Sequence, residues 1–227
     1  MRHLVFIRHG ESQLNAISRQ RRTYCGQIET PLNDRGREQA RAAGQKLVTL
    51  SYVQPQFAIS SPLARAVETL SLVIGELATE VVLKPPSRGL MERSHGRFEG
   101  IAEEDVFRDY PHYRDDPNYC QFMNHFEQCA PGGETLQAVS DRAWAAVNEA
   151  VMATTGDLVI VSHFNPIRCV VGRALDLPAA DVLKLHIPNA EPIVLGFNGS
   201  FRLLDSPDLY AGWNAAPDDT ASFTSSN

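Results

Sequence analysis

The sequence predicts an α/β fold: a three-layer α/β/α sandwich around a largely parallel sheet. Two runs carry that reading, "LVFIRHGES" at residues 4–12 and "GDLVIVSHFN" at residues 156–165. Each packs consecutive Val, Leu, Ile or Phe residues into a stretch too short for a helix, as expected of a strand buried on both faces. Each ends on a histidine. The third observation is the alternation of such runs with segments of helical apolar spacing, which implies parallel strands joined by crossover helices.

The elements follow in order. Residues 33–50 place Ala40, Ala43, Leu47 and Leu50 on one helical face, with Asn33 or Asp34 as cap. "FAISSP" at 57–62 is a strand leading to a helix whose apolar face holds Leu63, Ala66, Val67, Leu70, Val73, Ile74 and Leu77, with Arg65 in its first turn. "EVVLKPP" is a further strand, stopped by Pro85 and Pro86. Residues 101–130, with Tyr110, Tyr113, Tyr119 and Phe122 and no sustained period, form an irregular helical cover. "PGGET" at 131–135 opens a long helix with Leu136, Val139, Ala143, Val147 and Ala150 inward. Strands are expected at 182–187 and at 193–197.

A single domain is expected over residues 1–205, and the turn-rich residues 206–227 are expected to be a partly disordered tail. With 43% hydrophobic and 21% charged residues, the 227-residue chain has an ordinary globular composition. A formal charge of −6 argues against a general nucleic-acid or membrane-surface binder, which needs a basic field. Cys25, Cys120, Cys129 and Cys169 have no zinc-type spacing and are sparse for a disulfide scaffold, so free thiols and a cytoplasmic location are expected. The leading apolar stretch, Leu4 to Ile7, is too short for a signal peptide. A homodimer is the candidate assembly, and oligomeric state is left open.

Parallel strands deliver their carboxyl ends to one edge of a sheet, where ligands bind. His9, His163 and Arg65 should therefore meet there, beside Arg8. Two arginines and two histidines suit a phosphate dianion, and a neutral imidazole is a nucleophile that needs no base to activate it. Backbone N–H groups at the helix start near Arg65 would add anion affinity.

"RHGES" with Asn15, "SSPLARAVET" with Arg65, "MERSHGRFEG" with Glu92, "PGGET", and "VSH" with His163 occur in the order seen in the histidine phosphatase, or phosphoglycerate mutase-like, superfamily, which the chain resembles over nearly its whole length. The resemblance implies a phosphoglycerate mutase-like fold. It gives His9 the role of nucleophile, Glu92 that of proton donor, and Arg8, Asn15, Arg65 and His163 the phosphate pocket. It implies no cofactor and no metal, and His95, His112, His125 and His186 show no metal-ligand spacing. The sequence departs from many members in carrying Phe164 and Asn165 after the second histidine. It also has a longer basic segment, "AISRQRRTYC", ahead of Gly26. Arg19, Arg21, Arg22, Gly26, Phe164 and Asn165 are accordingly candidate substrate contacts, the arginines for a second anionic group on a flexible loop. Ser12 and Thr135 are candidate caps as readily as ligand contacts.

The implied activity is hydrolysis of a small phosphorylated metabolite through phosphohistidine. The alternative is a cofactor-dependent phosphoglycerate mutase using the same intermediate. Mutases carry a longer insertion after the acid, with paired arginines; here only Arg108 and Arg114 lie between Gly100 and Pro131, far apart, which favours the phosphatase. A second alternative is a phospho-ligand-binding member without catalysis. It would usually have lost the nucleophile or the acid, and this chain retains both.

Overall fold

A computed structural model describes residues 1–119 and 121–210. In chain order the elements are β1 (Arg2–Arg8), α1 (Gln13–Gln20), α2 (Asp34–Thr49), β2 (Pro55–Ser60), α3 (Ala64–Gly75), β3 (Val82–Leu83), α4 (Glu103–Asp109), α5 (His112–Asp115), α6 (Leu136–Met152), β4 (Asp157–Ser162), α7 (Phe164–Ala174), α8 (Ala179–Lys184), β5 (Ile193–Phe197) and β6 (Phe201–Asp205). They form one six-stranded sheet in the order β3-β2-β4-β1-β5-β6. The first four strands of that order are mutually parallel; β5 is antiparallel to β1, and β6 to β5. The three-layer, largely parallel fold expected from the sequence is present.

The two-residue period of a strand explains the layers. Along β1, Leu4 and Phe6 join one core with α6 and α7 residues such as Val147 and Val170, whereas Val5 and Ile7 join the other with Leu47 of α2 and Leu70 of α3. Both faces are buried, so the strand has no polar position between His3 and Arg8. A third, smaller cluster of Tyr24, Phe98, Val106, Phe122 and Ala130 lies under the cover.

Register positions the site. Arg8 pairs with Ser162 and Ser60 with Val161, so His9 and His163 follow at one level of the sheet edge, with Ser61 one residue behind. The His9 N–H still donates to the Ser162 carbonyl at 3.0 Å, carrying the sheet one residue further. Behind this edge the first turn of α2 presses on the loop after β1. A side chain at Gly10 would meet the Gly36 carbonyl oxygen at 2.2 Å, and one at Gly36 would meet the Glu11 carbonyl at 2.1 Å. Only two glycines permit that approach.

The caps behave as their residue types demand. Asn33 accepts from the Gly36 N–H at 2.8 Å, and Thr135 from the Ala138 N–H at 3.1 Å. Glu103, Glu104 and Asp105 fill the first turn of α4, where acids are favoured by the helix dipole.

Four expectations need correction. Residues 182–187 are not a strand. Pro178 caps a short helix, α8, and alanines 179 and 180 favour it, so the expected strand straddles the helix end at Lys184. The segment read as a flexible loop begins as a helix, α1, because Ser12 and Asn15 form a reciprocal capping box at 3.2 and 3.1 Å. The strand in "EVVLKPP" shrinks to two exposed edge residues. The tail does not leave the domain at 206: Leu209 is buried, and its carbonyl accepts from the His186 N–H at 2.6 Å. The rest of the tail, from 211, lies outside the described residues, as does Cys120. The described cysteines, Cys25, Cys129 and Cys169, are free thiols. Among the described residues no helix is long and apolar enough to cross a membrane.

Candidate active site

His9 sits one residue past β1, buried to 3% exposure. Its Nδ1 lies 2.7 Å from the carbonyl oxygen of Gly10. A carbonyl only accepts, so Nδ1 carries the hydrogen and the lone pair of the neutral ring is on Nε2. Arg65 confirms the assignment by donating from Nε to that Nε2 at 3.2 Å. Burial, then the charges of Arg65 and Arg8, push the His9 pKa well below the ordinary histidine value. The ring is therefore neutral at physiological pH, with its lone pair directed beside a guanidinium.

Arg65 comes from the first turn of α3, as expected, and each nitrogen of its guanidinium has a fixed partner. Besides Nε on His9, Nη1 donates to the Ile28 carbonyl at 2.7 Å and Nη2 to the Gly26 carbonyl at 2.9 Å. Gly26 adopts a left-handed φ of 49°, and a Cβ there would lie 2.3 Å from Glu99 Oε1. Only glycine fits this corner. The N–H groups at the start of α3 are less free than expected, since that of Ala64 donates to Glu29 Oε2 at 3.0 Å.

Arg8 donates from Nη1 to the Ile187 carbonyl at 2.8 Å, while its Nε is buried without a partner. Its guanidinium lies 5.4 Å from the centre of the Phe164 ring, and Arg168 lies 4.8 Å from the same ring. Phe164 thus stacks against two cations. Asn15 uses its Oδ1 in the capping box, which leaves its amide N–H groups to donate into the cavity.

Glu92 approaches from the other side. Its Oε1 accepts from the backbone N–H of Arg93 at 2.7 Å and from that of Asn165 at 3.2 Å. The second of these belongs to the first turn of α7, so the carboxylate caps a helix whose N-terminus attracts negative charge. This leaves Oε2 for a ligand. Around it, Arg142 ties the segment down, donating to the carbonyls of Gly89, Met91 and Glu92 at 2.7 to 2.9 Å and pairing with Glu134. Arg93 is fully buried and donates to the carbonyls of Glu134, Phe122 and Gln128. Burial draws its pKa down to about 10.

These groups line one cavity of about 310 Å³, room for a small phosphate ester. Of the residues singled out in the sequence, Arg8, His9, Asn15, Arg22, Gly26, Arg65, Glu92, Phe164 and Asn165 are on its wall. His163 is not. It is fully buried behind His9, with ring centres 5.0 Å apart, and its Nε2 is 2.8 Å from Ser61 Oγ. Burial and then the neighbouring His9 and Arg65 hold its pKa well below the ordinary value. Arg19 and Arg21 are also off the wall: Arg19 pairs with the buried Glu11, and Arg21 with Glu104 and Asp105. Arg19 lies within α1 while Arg21 and Arg22 follow its end, and each pairs with a different acidic partner, so the three do not converge. Tyr24, Cys25, His95 and Met123 line the cavity without having been singled out. Two of them stand beside named motif residues, Cys25 next to Gly26 and His95 three places after Glu92, which was the available signal.

Comparison with known proteins gives the family. The pattern of the histidine phosphatase superfamily (branch 1) matches residues 4–206. Similar curated proteins include 2,3-bisphosphoglycerate-dependent phosphoglycerate mutases from Haemophilus influenzae, 26% identical and covering 89% of this chain and 97% of the relative. Another, from Hydrogenobaculum sp., is 27% identical, covering 84% and 85%. Similar solved structures include a mycobacterial glucosyl-3-phosphoglycerate phosphatase in complex with VO3, with a TM-score of 0.74, 27% identity, and coverage of 91% of this chain and 98% of that one. The alpha-ribazole phosphatase of Shigella flexneri has a TM-score of 0.72 and 26% identity, covering 90% and 96%. With the match running from β1 to just past β6, the chain belongs to the histidine phosphatase superfamily, whose members are phosphoryl-transfer enzymes.

Proposed function

We propose that this protein is a phosphatase that hydrolyses a small phosphate monoester, without a metal, through a phosphohistidine on His9. The observation that carries the reading is the His9 ring: neutral, with its hydrogen held on Nδ1 by the Gly10 carbonyl and its lone pair on Nε2 beside Arg65.

The ester dianion lies between Arg8, Arg65 and the Asn15 amide, whose charge and N–H groups face its non-bridging oxygens. Nε2 attacks phosphorus in line with the ester oxygen. The P–O bond breaks as the N–P bond forms, and Glu92 Oε2 gives its proton to the leaving alkoxide. In the second half, Glu92 takes a proton from water, the water oxygen attacks phosphorus, and the N–P bond electrons return to Nε2. The products are the alcohol, inorganic phosphate and the starting enzyme. A general acid of this kind contributes roughly 10²–10⁴-fold. Most of the remaining acceleration rests on positioning and on the two guanidiniums.

The mutase reading is favoured by one finding, the mutase names of the curated relatives matched at nearly full length. The cover supports hydrolysis instead. Arg108 pairs with Asp105 and Asp109, Arg114 lies by the Phe107 ring, and neither lines the cavity to grip a second phosphate. A catalytically silent binder is disfavoured because nucleophile, cations and acid stand together on one wall.

The test is a panel of phosphate esters in the presence of chelator, with 3-phosphoglycerate supplied with and without 2,3-bisphosphoglycerate. Release of inorganic phosphate is expected, together with an acid-labile, base-stable label on His9 in rapid quench. His9→Ala should lower the rate on the order of 10⁴-fold or more. Formation of 2-phosphoglycerate without phosphate release would establish the mutase. Activity restored only by a divalent metal would overturn the arginine-only chemistry.

A further inference from the structure

The alcohol leaves from beside Glu92, so its chamber is the part of the cavity attached to that residue. Asn165 is tied to Glu92 through its own N–H, and His95 follows Glu92 by three positions. Both line the cavity and both are only 4% exposed. Each also holds a buried polar atom with no partner, Oδ1 of Asn165 and Nδ1 of His95. Leaving such a group unsatisfied costs roughly 1–3 kcal/mol, so two in one chamber call for a ligand that satisfies them. His95 is otherwise held by ring contacts, 5.5 Å from Tyr24 and 5.7 Å from Phe122, and these fix its plane.

The chemistry of those atoms selects the ligand. Asn165 Oδ1 only accepts, and a neutral imidazole offers one donor and one acceptor. A hydroxyl both donates and accepts, so it can satisfy either. A carboxylate or second phosphate only accepts; it could take the Asn165 amide N–H but would leave Oδ1 unpaired. The wall argues the same way. Beyond Arg8 and Arg65, the further cation lining the cavity among the described residues is Arg22, which is 76% exposed and paired with Glu103 at 3.1 Å. Tyr24, Met123 and Phe164 supply apolar surface for a carbon skeleton.

We propose that this chamber binds a neutral, polyhydroxylated leaving group, an alditol or sugar, whose hydroxyls pair with Asn165 Oδ1 and the His95 ring. This rests on the phosphoryl-transfer reading above and names the substrate class of the same site. It also replaces the second anion that the basic segment suggested. Asn165 and His95 act here as specificity-determining residues.

The experiment compares three three-carbon esters by single-turnover labelling of His9: glycerol 3-phosphate, propyl phosphate and 3-phosphoglycerate. Each hydrogen bond should contribute roughly two- to tenfold, so glycerol 3-phosphate is expected to outrun propyl phosphate by on the order of tenfold or more in wild type. Asn165→Leu keeps the shape and the backbone N–H on Glu92, and His95→Phe keeps the ring contacts. Each should lower the glycerol-to-propyl ratio by roughly two- to tenfold. Equal labelling by glycerol and propyl esters in wild type would overturn the inference and leave the phosphohistidine standing. So would a preference for 3-phosphoglycerate, or a ratio unmoved by both substitutions. No labelling of His9 by any ester would overturn both. The wild-type comparison needs no variant to fold.

Discussion

The floor of the cavity and its cover both rest on arginines, and the two sets are spent differently. Holding the cover and the Glu92 segment from below, Arg93 and Arg142 have every guanidinium nitrogen on a protein acceptor, chiefly backbone carbonyls. In the floor, Arg8 keeps a buried Nε with no partner, and one of the three bonds of Arg65 ends on the nucleophile itself. A buried guanidinium with every nitrogen on a structural acceptor holds the chain in shape. One on the cavity wall with a nitrogen unspent, or aimed at a reacting atom, is held ready for a ligand; Arg168, whose buried Nε also lacks a partner, is off the wall. The partner of each nitrogen, taken with position on the cavity wall, separates these roles where charge does not, since all four side chains are cationic.

The sharpest way to break this contrast lies where the two regions join, at Glu92. An alkyl alkoxide needs a proton as it departs, whereas a nitrophenolate leaves largely unaided. Glu92→Gln should slow phosphorylation of His9 by alkyl phosphates roughly 10²–10⁴-fold and by an aryl phosphate much less. Equal losses for both esters would make Glu92 a part of the floor, positioning phosphate, and not the proton donor.

A smaller effect separates the arginines. Arg93→Met leaves three carbonyls without their donor and should destabilise the protein by about 3 kcal/mol, lowering the melting temperature by roughly 6–12 °C. Arg8→Met should lose far less stability and far more activity. If thermal melts and rates instead showed both variants losing the two properties in proportion, the distinction by unspent donors would fail.

The smallest effect is titrational. His95 is held neutral, its pKa pushed down to about 3 by burial and by the charge of Arg93. Between the unfolded value near 6.5 and about 3, the unfolded chain binds a proton that the folded chain refuses, so stability falls as pH falls through that window. His95→Phe removes this one contribution. Urea unfolding at pH 7 and pH 5 should show the variant losing about 2 kcal/mol less than wild type on acidification. An equal loss would mean that His95 accepts a proton in the folded state. His9 and His163 are depressed in the same direction and keep their share of the acid sensitivity in both proteins.

What the sequence disclosed divides along the same line. The floor is built where buried strands stop, and the apolar runs ending at Arg8 and Ser162 mark those stops in composition alone. The Asn33 and Thr135 caps were legible for the same local reason. Elements whose signal is short were lost. Ser12 was legible as a cap, but its reciprocal partner Asn15 and the Asn198-Gly199 turn before β6, where Gly199 has a φ of 100°, are short clues inside unpatterned stretches. The cover was least legible. Its arginines bond to carbonyls, which every residue possesses, and no sequence pattern marks which carbonyl is near. The position of His163 behind the wall depends on how its ring packs against His9, which spacing does not encode.

The contact that aims His9 has a consequence for how such a protein drifts. Its partner is the peptide carbonyl of the next residue, a group that no codon change can delete. The ring's reactive nitrogen is therefore inherited with the chain path, and mutation reaches it only by moving the backbone that Gly10 and Gly36 press together. Side chains over the leaving-group chamber enjoy no such protection and no such burden. They are free to be exchanged one at a time, so new alcohols can be tried above a phosphoryl acceptor that stays tuned throughout.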